Sequence, residues 1–521
     1  MNSRSLRRTS RCPTRPSRGR LSVGGCLRSS VSAPSAKSRP SRRPSSEVPS
    51  MPRLIPRIPQ LLSDDQLQHI HQSALETIER VGIACDRTDV LDRLRERPNV
   101  RVEGDRIFLR AEDCDRMIRE QVARRPEPSE HEGPISITVG GHNHHVIDLA
   151  TDELRPMTLA AGIEGAKLID ALHDRGVRGG CPGPPTEVAP GLCEVTQALT
   201  SAQYTRHGPR AVITRADSAR FVKEMHEVCG TRFSASIHVV SPLRLEGDEF
   251  HIALGFLEDE SVSIGVTSMP MAGATAPVHL VGCLLTGAAE TLATVCILKL
   301  LTREDRDFSF RVSAYAVDMQ NGLIVYACPE EQLIEMLLSD LNRFYRATKA
   351  TRSLKSQAKR VGAQAGLEMG AGLSAGALMG SDAFTTGLSL DEVFSAEKLI
   401  LDCEARDWAE RLQRGVRFDE ETLSADLIAE VLEQNPRGNF FGHPSTAEHF
   451  RETYWLPALL DRNLLAGADT SLPEQARRRA RAEARRLIDA HDFEPDPEQL
   501  RALEQIHARA ERYFREEAAP E

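Results

Sequence analysis

Glu290 stands inside Ala276 to Leu301, a stretch that is otherwise apolar apart from His279, Lys299 and a few small polar residues. A carboxylate in such a helix must be paired, hydrogen-bonded or protonated, because loss of water disfavours its charged form and raises its pKa. Facing an open mouth, it would act as a base or as the counter-charge of a cation. Facing an arginine, it would be a structural pair. Tyr315 and Tyr326 flank the polar loop Asp318-Met319-Gln320-Asn321-Gly322, and their rings offer faces that attract cations, with plain core or rim packing as the alternative. The loop Ser268 to Pro277 consists mostly of small residues, which either lets backbone approach a ligand or turns the chain into the following helix. His142-Asn143-His144-His145 is dense in histidine but has no acids or cysteines beside it. A structural zinc would want a second ligand pair, so no metal site is expected. His443 and His449 read as a turn and a helix start. No Gx4GK[ST] loop, GxSxG elbow or HExxH helix occurs.

These residues need a frame, and the pattern between Pro209 and Tyr345 supplies one. Apolar runs at Ala211 to Thr214, Phe233 to Val240 and Ser261 to Thr267, and the alternating run Phe308 to Tyr315, read as strands. Helical patterns separate them, at Asp217 to Val228, around Glu249 to Leu257, through Leu301, and from Pro329, which suits a first helical position. Strand and helix in alternation imply parallel pairing with right-handed crossovers. A dinucleotide-binding open sheet would want GxGxxG directly after a strand. Gly362, Gly366 and Gly370, then Gly372, Gly376 and Gly380, instead recur every four residues, as a helix-packing stripe would. The expected fold is therefore α/β, a (β/α)8 TIM-type barrel with its chemistry in the loops after the strands.

Around that barrel, residues 51–133 read as a helical lead-in. Ser63 and Gln66 form a capping box, Leu67, Ile70, Ala74, Leu75, Ile78 and Val81 follow at helical spacing, and Gly82 ends the helix. Ile135 to Val139 and His145 to Asp148 read as a hairpin around Gly140-Gly141. The barrel domain is expected over 134–404 and a C-terminal helical extension over 405–521, where the arginines from Arg477 to Arg486 read as a solvated helix face.

Composition limits what such a barrel does. The 521 residues carry a net charge of -9, but residues 1–50 hold eleven Arg, one Lys and one acid. That tail is +11, which leaves -20 for the rest. With fourteen Ser and six Pro it cannot bury a core, so disorder is expected, and it reads as a transit peptide, a nucleic-acid-binding arm or a start assigned upstream of Met51. The acidic body has no basic surface for nucleic acid. Eleven cysteines without a CxxC pair fit reduced thiols in the cytoplasm. Ala276 to Leu301 is apolar enough to suggest a membrane span, yet it holds Glu290 and Lys299 and has no companion, so a buried helix is expected.

Several stretches, collinear from about Leu61 to Arg512, resemble one family. Ser268 to Val278 (SMPMAGATAPV) is similar to the signature of trimethylamine methyltransferase-like proteins. So are Ser241-Pro242-Leu243-Arg244, Val317 to Gly322, Gln364-Ala365-Gly366 with Glu368, Glu397 to Asp402, and Gly442 to Thr446 through Tyr454-Trp455-Leu456-Pro457. The chain resembles members that lack pyrrolysine. The resemblance implies a barrel that moves a methyl group from a quaternary or tertiary methylated amine, betaine-like, to the cobalt of a partner corrinoid protein. It implies no directly bound cofactor and leaves room for a homo-oligomer. By matching positions it implies Glu290, Gln364 and Glu368 as catalytic residues, and Asp318 and His443, beside Tyr315 and Tyr326, in the substrate pocket. The chain departs from the family just before Glu290, where Thr286-Gly287-Ala288 replaces a polar run, and at an apparent insertion around Ser381 to Asp391. A non-catalytic binding barrel with a decayed pocket is the alternative, and a barrel lyase or zinc-dependent methyltransferase a third reading.

Overall fold

Every second residue of the central strands is apolar, and the structure uses that period to cover one face of each strand with helices. In the computed structural model, which describes residues 53–127, 134–347, 350–462, 464 and 475–517, the parallel strands fall into two arcs. The first has Ser263–Ser268 at its centre, with Ser234–Val239 on one side and Ser309–Phe310 on the other. The second runs Val177–Arg178, Ser136–Val139, Ala383–Leu388, Ala350–Ser356, so the last strands in the chain pair with the first. Ala235, Ile237, Ile264, Val266 and Phe310 pack with Val222, Phe250 and Leu292 in one core. Ile137, Val177 and Phe384 pack with Ile169, Leu399 and Ile400 in another. The fold is thus mixed α/β.

Among the described residues, no ladder joins the two arcs at either seam, and side chains explain why. The expected strand at Ala211 to Thr214 forms no ladder. Its Val212 and Thr214 N–H groups donate to the side chains of Gln197 (3.1 Å) and Glu194 (3.0 Å) on the preceding helix, Leu192–Tyr204. At the other seam Tyr315 of the expected Phe308 to Tyr315 strand makes a single bridge, to Met271, and only Ser309–Phe310 forms a ladder. Beyond it Asn342 clasps Val312 through both its amide atoms (2.9 Å each), and Arg352 donates to the Ala314 carbonyl (3.0 Å).

The hairpin expected at Gly140-Gly141 is overturned. Ser136–Val139 pairs only in parallel with its barrel-like neighbours, and His145–Ile147 pairs with Val393–Phe394 and Leu154–Pro156. His142 therefore sits in a loop that leaves the C-terminal end of a parallel strand. Three strands of the second arc went unexpected, Val177–Arg178, Ala350–Ser356 and Ala383–Leu388.

Residues 53–127 hold the capped helix Asp64–Arg80, where Ser63 and Gln66 exchange both capping hydrogen bonds and Gly82 takes a positive φ of 70°. The same region also carries a hairpin, Val100–Glu103 and Arg106–Leu109, turning at Gly104-Asp105. Its neighbour Ile83–Cys85 continues into Arg244–Leu245, which fastens this region to the body. The boundary drawn at 404 falls inside the helix Ala396–Gln413. The helices Gln475–Asp489 and Pro497–Glu517 pack back into the two cores through Ala484 and Ile488, and through Leu503 and Phe514. The long helix Leu280–Leu301 has the length and apolarity to cross a membrane, and most of it is buried in the fold. Gly287 on it lies where a Cβ would come within 2.2 Å of the Ser313 carbonyl, so only glycine allows this approach. That contact gives a packing reason for Thr286-Gly287-Ala288.

Lys398 is enclosed between the last two strands and their helix. Its ammonium donates to the Leu354 carbonyl (2.6 Å), Thr386 Oγ1 (2.8 Å) and both Asp402 oxygens (2.8 Å). Burial pushes the lysine down and the aspartate up, each opposed by the other's charge. Asp402→Ala strands that ammonium and is expected to lower stability by about 3 kcal/mol in urea unfolding. The double variant Lys398→Met/Asp402→Leu should recover most of the loss; if the single variant is harmless, the pair does not hold these strands.

Candidate active site

The strand faces turned away from the helices are small and polar. In register across the first arc lie Ser234 beside Ser263, Ser236 beside Gly265 and Ser309, and His238 beside Thr267. Across the second arc, Thr138 lies beside Thr385. All of these are half-buried or exposed, while their alternates Ile237, Ile264 and Val266 are buried. A TIM-type interior is normally filled by branched side chains. These strand faces are open to water, and a Cβ on Gly265 would have nothing within 4 Å.

Charged groups gather where these strands end. His238 donates from its backbone N–H to Glu249 Oε2 (2.9 Å), and its ring Nδ1 lies 2.7 Å from the same oxygen. Burial would push the Glu249 carboxyl up, but the His238 hydrogen bond and charge outweigh it and hold the carboxyl low. His142 is accessible yet crowded enough that burial lowers its pKa, and it feels the charges of Asp391, His238, Lys355 and Glu249. Lys355, near the end of its strand, pairs with Asp391 Oδ2 and lies 4.2 Å from the centre of the Tyr326 ring. Burial raises the Tyr326 pKa. Tyr326 meets Tyr315 edge to face at 6.3 Å. Below Tyr315, Arg352 is stacked at 4.4 Å and pairs with Glu331 (2.6 Å) and Glu335 (2.7 Å).

Asp391 is held by a costly backbone. Ser389, Leu390 and Asp391 take φ of 49°, 61° and 66°, three successive left-handed residues without a glycine. Each costs about 1–2 kcal/mol over the right-handed form. Such strain persists only where the surroundings impose it, and it concentrates at functional sites. The Asp391 Oδ1 atom is buried without a hydrogen-bond partner, in space kept free by Gly387, whose Cβ would lie 1.9 Å from it.

The residues singled out in the sequence divide into groups. Tyr315 and Tyr326 belong to this cluster. Glu290 is fully buried and both its oxygens are engaged, Oε2 by Ser241 Oγ (2.8 Å) and Oε1 by the Leu243 N–H (2.9 Å). It fastens the long helix to the loop after the strand of His238. Glu368 does the same for another strand end, accepting from Ser356 Oγ (2.6 Å) and the Gln357 N–H (2.9 Å), while Gln364 donates to its second oxygen (2.8 Å). Asp318 organises its own turn, accepting from the Gln320 N–H (2.8 Å) and Asn321 Nδ2 (2.7 Å). His443 caps the helix Pro444–Thr453 through Ser445, and its other neighbour is Glu430, so its contacts stay within the C-terminal region. Among the described residues, no group of three or more His, Cys, Asp or Glu could hold a metal.

Sequence reasoning missed His238, Glu249, Arg352, Lys355 and Asp391, and it placed His142 on the wrong kind of loop. His238 was findable, as a polar residue in phase with two serines on an expected strand. Lys355 and Asp391 were not, because the strand that carries the one reads as polar chain and the other lies in a turn between strands that were not expected.

Burial pushes Glu290 up to about 7, against its two hydrogen bonds. A raised carboxyl pKa stabilises the fold below the unfolded value, near 4.5, and that contribution is lost as pH rises through about 7. Glu290→Gln should therefore remove a fall in stability of about 3 kcal/mol across that window. Urea midpoints measured from pH 4.5 to 7.5 would show it; an unchanged slope would assign the titration to another group.

The chain is similar to proteins already known. The family model described as trimethylamine methyltransferase (MTTB) matches residues 28–513. The glycine betaine methyltransferase of Desulfitobacterium hafniense (strain Y51) is 25% identical over 457 residues, covering 84% of this chain and 93% of that protein. Trimethylamine methyltransferase MttB of Desulfitobacterium hafniense (strain DSM 10664 / DCB-2) is 24% identical over 473 residues, covering 84% and 91%. The crystal structure of the Methanosarcina barkeri monomethylamine methyltransferase is a distant likeness, 13% identical with a TM-score of 0.43, covering 83% of this chain and 88% of that one. A family model spanning nearly the whole chain decides the assignment: the chain belongs to the trimethylamine methyltransferase (MTTB) family.

Proposed function

We propose that the chain is a cytoplasmic methyltransferase that takes a methyl group from a quaternary or tertiary methylated amine of betaine type and delivers it to a corrinoid carried by a partner protein. The observation that carries this reading, beside family membership, is the water-accessible polar interior that ends at the Lys355–Asp391 pair and the two tyrosine rings. The same reading closes the two arcs into an eight-stranded (β/α) barrel, with residues 211–214 as its third strand. Pairing of the last parallel strand with the first supports that closure.

A betaine is a zwitterion, and the mouth offers both complementary charges within one pair. The Lys355 ammonium would take the substrate carboxylate, and the Asp391 carboxylate beside it would face the quaternary nitrogen. The outer faces of Arg352 and Lys355 already occupy one side of each tyrosine, so a substrate cation would meet the remaining ring surface. In the transfer, the carbon–nitrogen bond of the cationic substrate, a quaternary amine or a tertiary amine protonated on nitrogen, breaks and its electron pair stays on nitrogen, which leaves as a neutral amine. The methyl goes to the acceptor, whose electron pair forms the new bond. Little acid–base work is asked of the protein; positioning carries the rate. Small strand residues such as Ser236 and Gly265 leave room for substrate. Glu290 and Glu368 would serve by fixing the loops that bear the pocket.

The test is a spectroscopic transfer assay with cob(I)alamin, or a cognate corrinoid protein, and trimethylamine, glycine betaine, proline betaine, carnitine and choline. Substrate-dependent methylcobalamin is expected. Lys355→Met should lower kcat/KM for the carboxylate-bearing betaines by about 10- to 100-fold and leave choline nearly unaffected, the value of a charge-assisted hydrogen bond. Silence across the panel with both acceptors would leave the binding-barrel reading.

A further inference from the structure

A second group of charged residues stands toward the opposite end of the strands from the mouth. Val177 is buried in the second core, so its strand neighbour Arg178 turns the other way, to the interior side beside Thr138. The Arg178 guanidinium folds back toward the start of its strand. There Nη1 donates to the carbonyls of His173 (3.0 Å) and Val177 (3.1 Å) and lies 3.4 Å from His173 Nδ1. The His173 and His207 rings are 4.9 Å apart. Three residues after His207, Arg210 leads into the segment 211–214 that forms no ladder. Ala211 and Ile213 pack on the first core, which leaves Arg210 in the interior phase. A Cβ on Gly180, two residues after Arg178, would lie 2.9 Å from the Arg210 Cβ, so the two arginines stand on adjoining segments.

Among the described residues, no carboxylate pairs with either arginine, and Arg178 Nε and Nη2 have no protein partner. Burial and the charge of Arg178 lower the Arg210 pKa, with no acid opposing them. Burial, then the charges of His173, Arg210 and Arg178, push His207 down to about 4, and its Nε2 atom is buried without a hydrogen-bond partner. Asp170, the acid that His207 feels, is taken by Arg206 (3.0 and 3.1 Å) and faces His491 at 3.5 Å. The chain has 75 acids against 66 lysines and arginines, so composition does not explain a basic cluster left unanswered. Guanidinium groups cannot shed their charge, and two of them at such spacing repel. Each offers a planar fork of N–H groups that matches two phosphate oxygens, and a neutral imidazole adds one more donor. A carboxylate would answer one fork; a tetrahedral dianion answers both.

We propose that Arg178, Arg210 and His207 form a binding site for a phosphate-type dianion, inorganic phosphate or a phosphate monoester, away from the mouth. The ion would join the edge strand of the second arc to the segment 211–214, across a seam that no ladder closes. The site stands apart from the methyl-transfer chemistry, so its test does not need an active enzyme.

Calorimetric titration of the full chain with inorganic phosphate, at constant ionic strength in chloride, is the test. One site per chain with a dissociation constant below about 1 mM is expected, together with a rise in unfolding temperature. Arg210→Gln alters a side chain that reaches water and makes no hydrogen bond among the described residues. It is expected to weaken phosphate binding by about 10- to 100-fold and to abolish the phosphate-dependent rise. Without phosphate the same variant should unfold no earlier than the wild type, because it relieves the repulsion from Arg178. Competition by glycerol 3-phosphate supports a monoester ligand, and its exclusion supports the free ion. Phosphate no better than chloride, or binding that Arg210→Gln leaves unchanged, overturns the proposal. So does a variant that unfolds earlier in phosphate-free buffer, which would give Arg210 a structural role instead.

Discussion

One enclosed ammonium group holds the part of the molecule on which the site rests. Lys398 is almost wholly buried, so its donors are met by the carbonyl of Leu354 on one strand, Thr386 on the next and Asp402 on its own helix. A buried charge tolerates little displacement of its partners, because any loss leaves it uncompensated in a poorly polarisable medium. The two strands clamped in this way carry Lys355 and lead into Asp391. Local rigidity at the mouth therefore follows from electrostatics beneath it more than from apolar packing.

A second constraint comes from leaving the strand interior polar. Serines, a glycine and a threonine add little burial, so the apolar side of each arc must supply the packing, and it does so in two separate cores. The seams between the arcs are crossed by side chains, from Gln197 and Glu194 on one side and Asn342 and Arg352 on the other. Each such residue satisfies backbone groups that a continuous ladder would have paired.

Much of this was legible in the chain. The capped helix at Ser63, the strands around Ile237 and Ile264, the helix beginning at Pro329 and the buried long helix all follow from period, caps and apolar runs. The strand Ala350–Ser356 did not, because its arginine, lysine and serines are paid for by tertiary partners that no local window contains. The hairpin at Gly140 failed for a related reason: two short apolar runs joined by glycines fit adjacent antiparallel strands and the exit of a parallel one equally well. The chemical residues show the same split. Glu290 was rightly marked as a buried carboxylate, but only the fold shows that Ser241 and Leu243 absorb it. The pairing of Lys355 with Asp391 spans strands whose existence the local pattern conceals.

The left-handed turn Ser389–Leu390–Asp391 sets two kinds of selection against each other. Glycine at position 389 or 390 would relieve the backbone, and variants chosen for thermal tolerance would be drawn to it. The same change would widen the range of conformations open to the loop and let the Asp391 carboxylate wander from its place beside Lys355. A lineage that keeps side chains at these positions is thus giving up stability in favour of a fixed carboxylate, whereas one that has drifted to glycine there would mark a chain freed from holding that group in position.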